Sequence, residues 1–505
     1  MVPVVGVPLY LRPRLEPPLS SLLDDARPLL RSLVDALGSP LNVLLPERIA
    51  ENAERFRAVY REHRLAGRVY FAHKANQSSA LVRRLAAADQ TGVGIDVASL
   101  GELQHALGCG FTPDRIMATG PKDPEFLWLA ARTGVTVNVD SRGELDQLAE
   151  LVRKYGLPRV DVLLRLAEFE SARDAQGVRV LSRRSRFGSP VGDVGELLSA
   201  VERHSDAVEL TGVAYHLDTT AQAEKARALE RCVSVMDECR ARGLSPRVLD
   251  IGGGFGVGYV ADADEWEGYT TALSEAVLGT RPPLTWRGHG YGLRNEGGTV
   301  RGSAALYPAY RPTAGPGYLD ELLSLTAPLA GRQSGGLLLE HLYDLYIEPG
   351  RALVDQCGLS LARVVDVRRL EESGGSGSAG YLVRLGMNAG DVSLEEHGVL
   401  VDPVLLPRAE AEGEREGPVG VHLVGNLCLE ADLITRRTVF LPRLPRAGDL
   451  LAFANTAGYA MDFHAHHAQR QPLARTVAVV REGDSWRWCL DEEYWPITHP
   501  QGAWS

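Results

Sequence analysis

The sequence predicts an α/β fold: a closed (β/α)8 barrel of the TIM type, followed by a mainly β C-terminal domain. Three observations carry this: eight short apolar runs rich in β-branched residues, helix-patterned segments between them, and a change of character after about residue 355. The runs are RVYFAH (68–73), GVGIDV (92–97), RIMATG (115–120), VTVNVD (135–140), VDVLLRL (160–166), LTGVAYHL (210–217), RVLDIGGG (247–254) and LYIEPG (345–350). Between them, segments such as SSALVRRLAAAD, SLGELQHALGCG and SRGELDQLAELVRKYG place apolar residues at i, i+3, i+4 and i+7, the helical period. Alternating strands and helices require parallel strands joined by crossover helices. A count of eight favours the closed barrel over an open doubly wound sheet.

The first five strands are evenly spaced, and a long gap then opens between Gly254 and Leu345. It holds GHGYGLRNEGG and YPAYRP, read as an insertion over about 258–340 on a βα-loop, either a lid or partner contact or a surface decoration. Beyond residue 355, ARVVDVRRL and GYLVRLGM read as strands with ESGGSGSAG as a flexible hairpin loop between them. AEAEGEREG (409–417) reads as a solvated loop, and GDLLAFAN and RTVAVVREGDSWRWCL as further strands. The expected organisation is a segment 1–45 packing with the β domain, a barrel over 46–354, and the β domain over 355–505.

With 505 residues, 45% hydrophobic and 24% charged, the composition is that of a globular protein and excludes a disordered scaffold, a fibre or a disulfide knot. The net charge of −11, with 54 basic against 65 acidic residues and no basic block, argues against nucleic acid and anionic membrane as partners. No apolar run reaches the roughly 18 residues of a membrane span. MVPVVGVPLYLRPRLEPP has no basic stretch before its apolar one, so no signal peptide is read and a cytoplasmic location is expected. Cys109, Cys232, Cys239, Cys357, Cys428 and Cys489 form no CxxC pair, so reduced thiols are expected, with no metal site and no disulfide framework.

Only four of the basic residues are lysines: Lys74, Lys122, Lys154 and Lys225. Where arginine is used almost everywhere for charge, a retained lysine raises the question of what an amine can do that a guanidinium cannot. The chemical answer is nucleophilic attack on a carbonyl, since lysine can be tuned to lose its proton. In a barrel, residues at the C-terminal ends of the strands face the active site. That rule selects Lys74 after the first strand, Asp96 on the second, Arg165 on the fifth, and His216 with Asp218 and Thr219 after the sixth. It also selects Gly252, Gly253 and Gly254 after the seventh, and Glu348, Gly350 and Arg351 after the eighth. Glycines at a strand end let backbone N–H groups approach an anion closely. An imine-forming lysine and a phosphate cradle together suggest pyridoxal phosphate, with Glu348 as the acid beside the pyridine nitrogen.

FAHKAN (71–76), GVGIDVASLGEL (92–103), SRFG (185–188), GVAYHLDT (212–219), LDIGGGF (249–255), EPGR (348–351), LGMN (385–388), GNLCLEAD (425–432) and GDLLAFANTAGY (448–459) occur in this order. On these motifs, spanning about residues 45 to 465, the chain resembles the pyridoxal-phosphate-dependent decarboxylases of the diaminopimelate and ornithine decarboxylase family, with the alanine-racemase-like barrel. The resemblance implies that Lys74 holds the cofactor as a Schiff base, with Asp96 nearby and His216 stacked on the pyridine face. Thr219 stands where the family has a phosphate-contacting serine. Gly252, Gly253, Gly254, Arg351 and Tyr459 would contact the phosphate, with Arg351 and Tyr459 also near substrate, and Glu348 would bond the ring nitrogen. Cys428 matches a cysteine that enters the neighbouring subunit's site and protonates the decarboxylated intermediate, with Glu430 and Asp432 accompanying it as substrate-binding residues, so a homodimer is implied.

Each residue also has a structural reading. His216 could be a satisfied strand-end histidine, Cys428 a small buried hydrophobe, Glu348 a salt-bridge partner and Tyr459 a rim aromatic, while Asp96 and Thr219 could be helix caps. The order of the motifs favours the functional reading for Lys74, His216, the glycine triplet, Glu348, Tyr459 and Cys428. Two departures bear on the substrate. The family places an acid directly after the cysteine, facing the substrate's distal amine; here it is Leu429, and Glu430 one place later would point to the opposite face of a strand. Diaminopimelate decarboxylases carry an arginine–proline pair after the GMN strand, where this chain has Asp402-Pro403. The expectation is α-decarboxylation of an unusual or modified amino acid in specialised biosynthesis. A racemase or epimerase is the alternative, disfavoured because alanine racemases pair an arginine with the ring nitrogen; a catalytically dead regulatory homologue would have lost the lysine, glycines or cysteine.

Overall fold

The computed structural model describes residues 8–88, 92–169, 185–217, 219–370, 380–408 and 417–496. The expected hairpin loop at 372–380 and solvated loop at 409–417 lie almost wholly outside these residues, as does Asp218. The chain forms two compact units, one of 8–48, 257–313 and 354–494, the other of 49–256, 314–353 and 495–496. The stretch read as a barrel insertion is thus divided: 257–313 belongs to the first unit and 314–340 to the second.

The second unit is the barrel. Its strands are β1 (Gly67–Ala72), β2 (Val93–Val97), β3 (Ile116–Ala118), β4 (Thr136–Val139), β5 (Val160–Ala167), β6 (Val208–Tyr215), β7 (Val248–Asp250) and β8 (Asp344–Ile347). Each pairs in parallel with the next, and β8 returns to β1 with Leu345 opposite Gly67, which closes the sheet. These are the eight runs read from the sequence. Ser189–Pro190 adds a short parallel pairing to the end of β5.

The crossover helices begin where the local chemistry allows. Ser78, Ser99, Asp123 and Ser141 each accept a hydrogen bond from the backbone N–H three residues on, capping the helices Ser79–Ala86, Leu100–Gly108, Pro124–Thr133 and Arg142–Tyr155. The interior is filled by side chains, as a barrel core requires. The odd strands β1, β3, β5 and β7 contribute Tyr70, Met117, Leu163 and Val248 to one apolar cluster, with Ala214 and Tyr346 beside them. With its lumen plugged in this way, the barrel offers its chemistry at the strand ends.

The first unit is built on a sheet in which Leu41–Leu44 lies between Gly358–Arg369 and Arg475–Glu482, antiparallel to the former and parallel to the latter. The amphipathic helices Pro17–Asp25 and Arg27–Leu37 bury Leu19, Leu22, Leu30 and Leu33 against Leu41, Val43, Leu359, Leu361 and Val477 of this sheet. Residues 257–313 join it through backbone bonds, Thr438 N–H to Leu284 O at 2.8 Å and Thr285 bridging to Arg437. GHGYGLRNEGG opens the small hairpin Arg294–Glu296 and Thr299–Arg301. Among the described residues no helix is long and apolar enough to cross a membrane.

Candidate active site

All eight barrel strands deliver polar side chains to one end. Lys74 sits in a single 3-10 turn, His73–Ala75, directly after β1, with its side chain exposed while His73 and Ala75 are buried. Asp96, on β2, is 2% exposed and accepts a 2.5 Å hydrogen bond from the Thr119 hydroxyl after β3. Burial pushes its carboxyl pKa up, and the Lys74 ammonium opposes that shift. Arg165 on β5 pairs with Asp140 at 3.2 Å, stacks over Phe187 at 4.9 Å, and adds positive charge near Asp96.

Glu348 follows β8. Burial raises its pKa well above the usual carboxylate range, and Asp250 and Asp96 raise it further, against Lys74 and Arg165. Asp250, at the end of β7, is fully buried, and burial lifts its pKa to about 7. Three carboxyl groups therefore converge on two cations, and the crowding favours the protonated form of Glu348.

His216 follows β6. Its Nδ1 accepts the Gly253 N–H at 3.2 Å and lies 4.0 Å from Glu348 Oε2. Although 37% of the side chain is accessible, the ring is set deeply enough in the wall for dehydration, with Lys74, Arg165 and Lys225 adding like charge, to push its pKa down to about 3. The imidazole is neutral, and the accepted bond fixes which nitrogen lacks the proton.

The glycine triplet could be nothing else. Gly252 has φ +64° and Gly254 φ +85°. A Cβ on Gly252 would stand 2.7 Å from Tyr215 O, one on Gly253 2.7 Å from Glu348 O, and one on Gly254 2.9 Å from Lys225 Nζ. Gly252 N–H is held by Asp250 Oδ1 at 2.8 Å, whereas Gly254 is exposed and its N–H has no partner among the described residues. Thr219 spends its hydroxyl on the Ala221 N–H at 3.1 Å, beside the start of the helix Gln222–Ala241, and its carbonyl faces Gly254. Gly350 and the half-buried Arg351 follow Glu348 on the same strand end.

The remaining sequence-predicted residues belong to the first unit. Cys428 is exposed, and its N–H donates to Gln469 Oε1 at 2.8 Å. Cys109, Cys232, Cys239 and Cys357 are buried and Cys489 is intermediate, so Cys428 does not fit the buried-hydrophobe reading. Asp432 has both carboxylate oxygens committed to backbone N–H groups, of Ala389 at 2.9 Å and Leu427 at 2.8 Å, which ties the 425–432 turn into shape. Glu430 is exposed and paired with Arg287 at 3.3 Å, and Leu429 is 58% exposed. Tyr459 holds a left-handed backbone, φ +67°, with its ring against Phe463 at 5.8 Å and His397 at 6.0 Å. Asp402 forms a buried ion pair with Arg437 at 2.6 Å and accepts the Leu11 N–H at 2.7 Å.

Residues 47–285 match the model described as pyridoxal-dependent decarboxylase, pyridoxal binding domain. The chain is 30% identical to the uncharacterised protein y4yA of Sinorhizobium fredii, over 94% of this chain and 95% of that one. It is 26% identical to a diaminopimelate decarboxylase of Methanothermobacter thermautotrophicus over 89% of each. The chain belongs to the pyridoxal-dependent decarboxylase family. The fold agrees: the crystal structure of diaminopimelate decarboxylase from M. jannaschii in co-complex with L-lysine superposes with a TM-score of 0.65 at 19% identity, covering 91% of each chain.

The enzyme is thus a pyridoxal-phosphate-dependent amino-acid decarboxylase by family, and the barrel mouth fits that cofactor. An exposed primary amine stands beside acidic groups, a neutral imidazole flanks them, and a glycine loop leaves a backbone donor open where any side chain would intrude. Sequence reasoning did not single out Asp250 or Thr119, and marked Lys225 only as one of four retained lysines. Asp250 had a signal, a lone carboxylate within an apolar strand. Thr119 had none, because its role depends on Asp96, distant in sequence.

Proposed function

We propose that this enzyme removes the α-carboxylate of an amino acid with an unusual or modified side chain, acting in the cytoplasm as a homodimer within a specialised biosynthetic route. The observation that carries the reading is the grouping of Lys74, Asp96 and Glu348 beside neutral His216 and the glycine loop. Pyridoxal phosphate bound to a lysine amine supplies an electron sink for the bonding pair left when CO2 departs.

Each side chain then has a defined task. Lys74 holds the cofactor through its amine, with Asp96 as counter-charge. Glu348, at the end of β8, would hydrogen-bond the pyridine nitrogen and share a proton with it. His216 offers an uncharged face, which a protonated ring does not repel. Gly252, Gly253, Gly254, Thr219 and Arg351, with Gly350 allowing close approach, receive the phosphate, and Tyr459 and Arg351 contact phosphate or substrate. Cys428 of the partner subunit returns a proton from its thiol to Cα as general acid. Its exposure supports that task, since it serves no core.

The substrate class follows from the departures. Leu429 offers no charge to a distal ammonium, and Glu430 is engaged by Arg287. Asp402, in the place expected for a carboxylate-binding arginine, is closed off by Arg437. The side chain accepted is therefore one without a terminal ammonium or second carboxylate. The test is incubation of the loaded enzyme with a broad amino-acid panel in D2O, followed by mass spectrometry. Loss of CO2 with one deuterium at Cα is expected. Deuterium at Cα with the carboxylate retained would replace the decarboxylase reading with a racemase. Lysine formed from diaminopimelate as the preferred product would overturn the substrate class.

A further inference from the structure

Lys225 is fully buried in the helix Gln222–Ala241, behind the glycine loop. Its Nζ donates to the carbonyl of Gly253 and lies over the rings of Phe255, at 5.1 Å, and Tyr318, at 5.4 Å. Among the described residues no carboxylate comes within ion-pair distance of it. A buried ammonium without a counter-anion is costly, and two aromatic faces and one carbonyl offset only part of that cost.

The arrangement has a direction. The Gly253–Gly254 peptide is trans, so its C=O and N–H point opposite ways. Lys225 holds the carbonyl end, and the other end is the Gly254 N–H, exposed and without a partner among the described residues. A cation on the carbonyl polarises the amide and strengthens its N–H as a donor. The same loop is where a Cβ is forbidden, so the backbone itself meets the ligand.

We propose that Lys225 is a positioning residue for a phosphate monoester: it orients and polarises the Gly253–Gly254 amide from behind and supplies the buried positive charge that a dianion on the loop neutralises. This rests on the reading of the barrel mouth as a pyridoxal phosphate site. It adds to that site a residue that touches neither the phosphate nor the reacting atoms.

The test compares the cofactor-free wild type with Lys225→Met, which keeps the volume, and Lys225→Gln, which keeps a donor without the charge. Affinities for pyridoxal phosphate and for pyridoxal, which lacks the phosphate, are measured by absorbance titration, and protection by inorganic phosphate by thermal unfolding. Loss of a charge-assisted contact of this kind is expected to weaken pyridoxal phosphate binding about 10- to 100-fold in Lys225→Met. Binding of pyridoxal should stay within about twofold, and Lys225→Gln should fall between. Phosphate should protect the wild type and not Lys225→Met. Equal losses for both aldehydes, unchanged discrimination, phosphate protection that persists without the lysine, or failure of both variants to fold would each overturn the proposal. A wild type protected by phosphate yet unable to take up pyridoxal phosphate would refute the cofactor reading while leaving Lys225 its anion.

Discussion

Lys122 and Lys225 are both buried in the barrel, and burial lowers the pKa of both, yet they sit in opposite surroundings. Beyond β3, Lys122 donates to Glu144 Oε1 at 2.8 Å and to the carbonyls of Gly120 and Asn138, each at 2.7 Å. Glu144 also accepts the N–H groups of Lys122, at 3.0 Å, and Asp140, at 3.1 Å. Every donor of that ammonium is spoken for, and the charge is cancelled on the spot. Beyond β6, Lys225 has one carbonyl and two rings, and burial lowers its pKa to about 8. The closed pair is a fastening. The open charge is completed only by something from outside, which is how a fold reserves affinity for an anion.

The largest expected effect breaks the fastening. Lys122→Met strands the Glu144 carboxylate in the interior and should cost about 3–5 kcal/mol in denaturant unfolding of the cofactor-free protein. A loss below about 1 kcal/mol would show that the pair contributes little. Gly254→Ala comes next: a methyl group at φ +85°, close to the Lys225 ammonium, should cost about 1–3 kcal/mol, with weaker cofactor binding as the companion readout.

The third prediction concerns pH. Asp250 and Glu348 have folded pKa values above their unfolded ones, so between about pH 4 and pH 7 the native state holds more protons than the unfolded chain. The stability of the cofactor-free protein should then fall as pH rises through that window. Asp250→Asn should flatten the slope, and an unchanged slope would place the titration elsewhere. The smallest effect is the counterpart of the first. Lys225→Met should change the stability of the cofactor-free protein by less than about 1 kcal/mol, in either direction, because removing an uncompensated buried charge offsets the hydrogen bond that the Gly253 carbonyl loses. A loss matching that of Lys122→Met would erase the contrast.

Much of the barrel could be read directly. Its strands are short, apolar and bounded by helical periods, so local pattern and final structure agree for all eight. The glycine triplet, Lys74, Glu348 and His216 fall at strand ends, where position alone confers meaning, and the same rule gathers them in space. The β unit was less legible. Val404–Leu406, Val419–Val424 and Val439–Leu441 are short strands whose identity comes from pairing rather than pattern. Residues 257–313 follow a barrel strand in sequence yet bond with Leu284 and Thr285 to the β unit, a long-range choice that no local window contains. Lys225 is one of four retained lysines, but its burial could not be read, because the rings that enclose it, Phe255 and Tyr318, lie outside its own helix.

The strand Leu41–Leu44 is made early and completed late. One neighbour in its sheet, Gly358–Arg369, is synthesised two-thirds of the way through the chain, and the other, Arg475–Glu482, close to the end. In the same way β1 waits for β8 before the barrel can close. Both sheets therefore hold open edges through most of translation, when unpaired strands are most prone to pair wrongly. The order of events on the ribosome is part of what this topology demands: a strand made early is among the last to find its place, and its edge stays open to other chains until its neighbours follow.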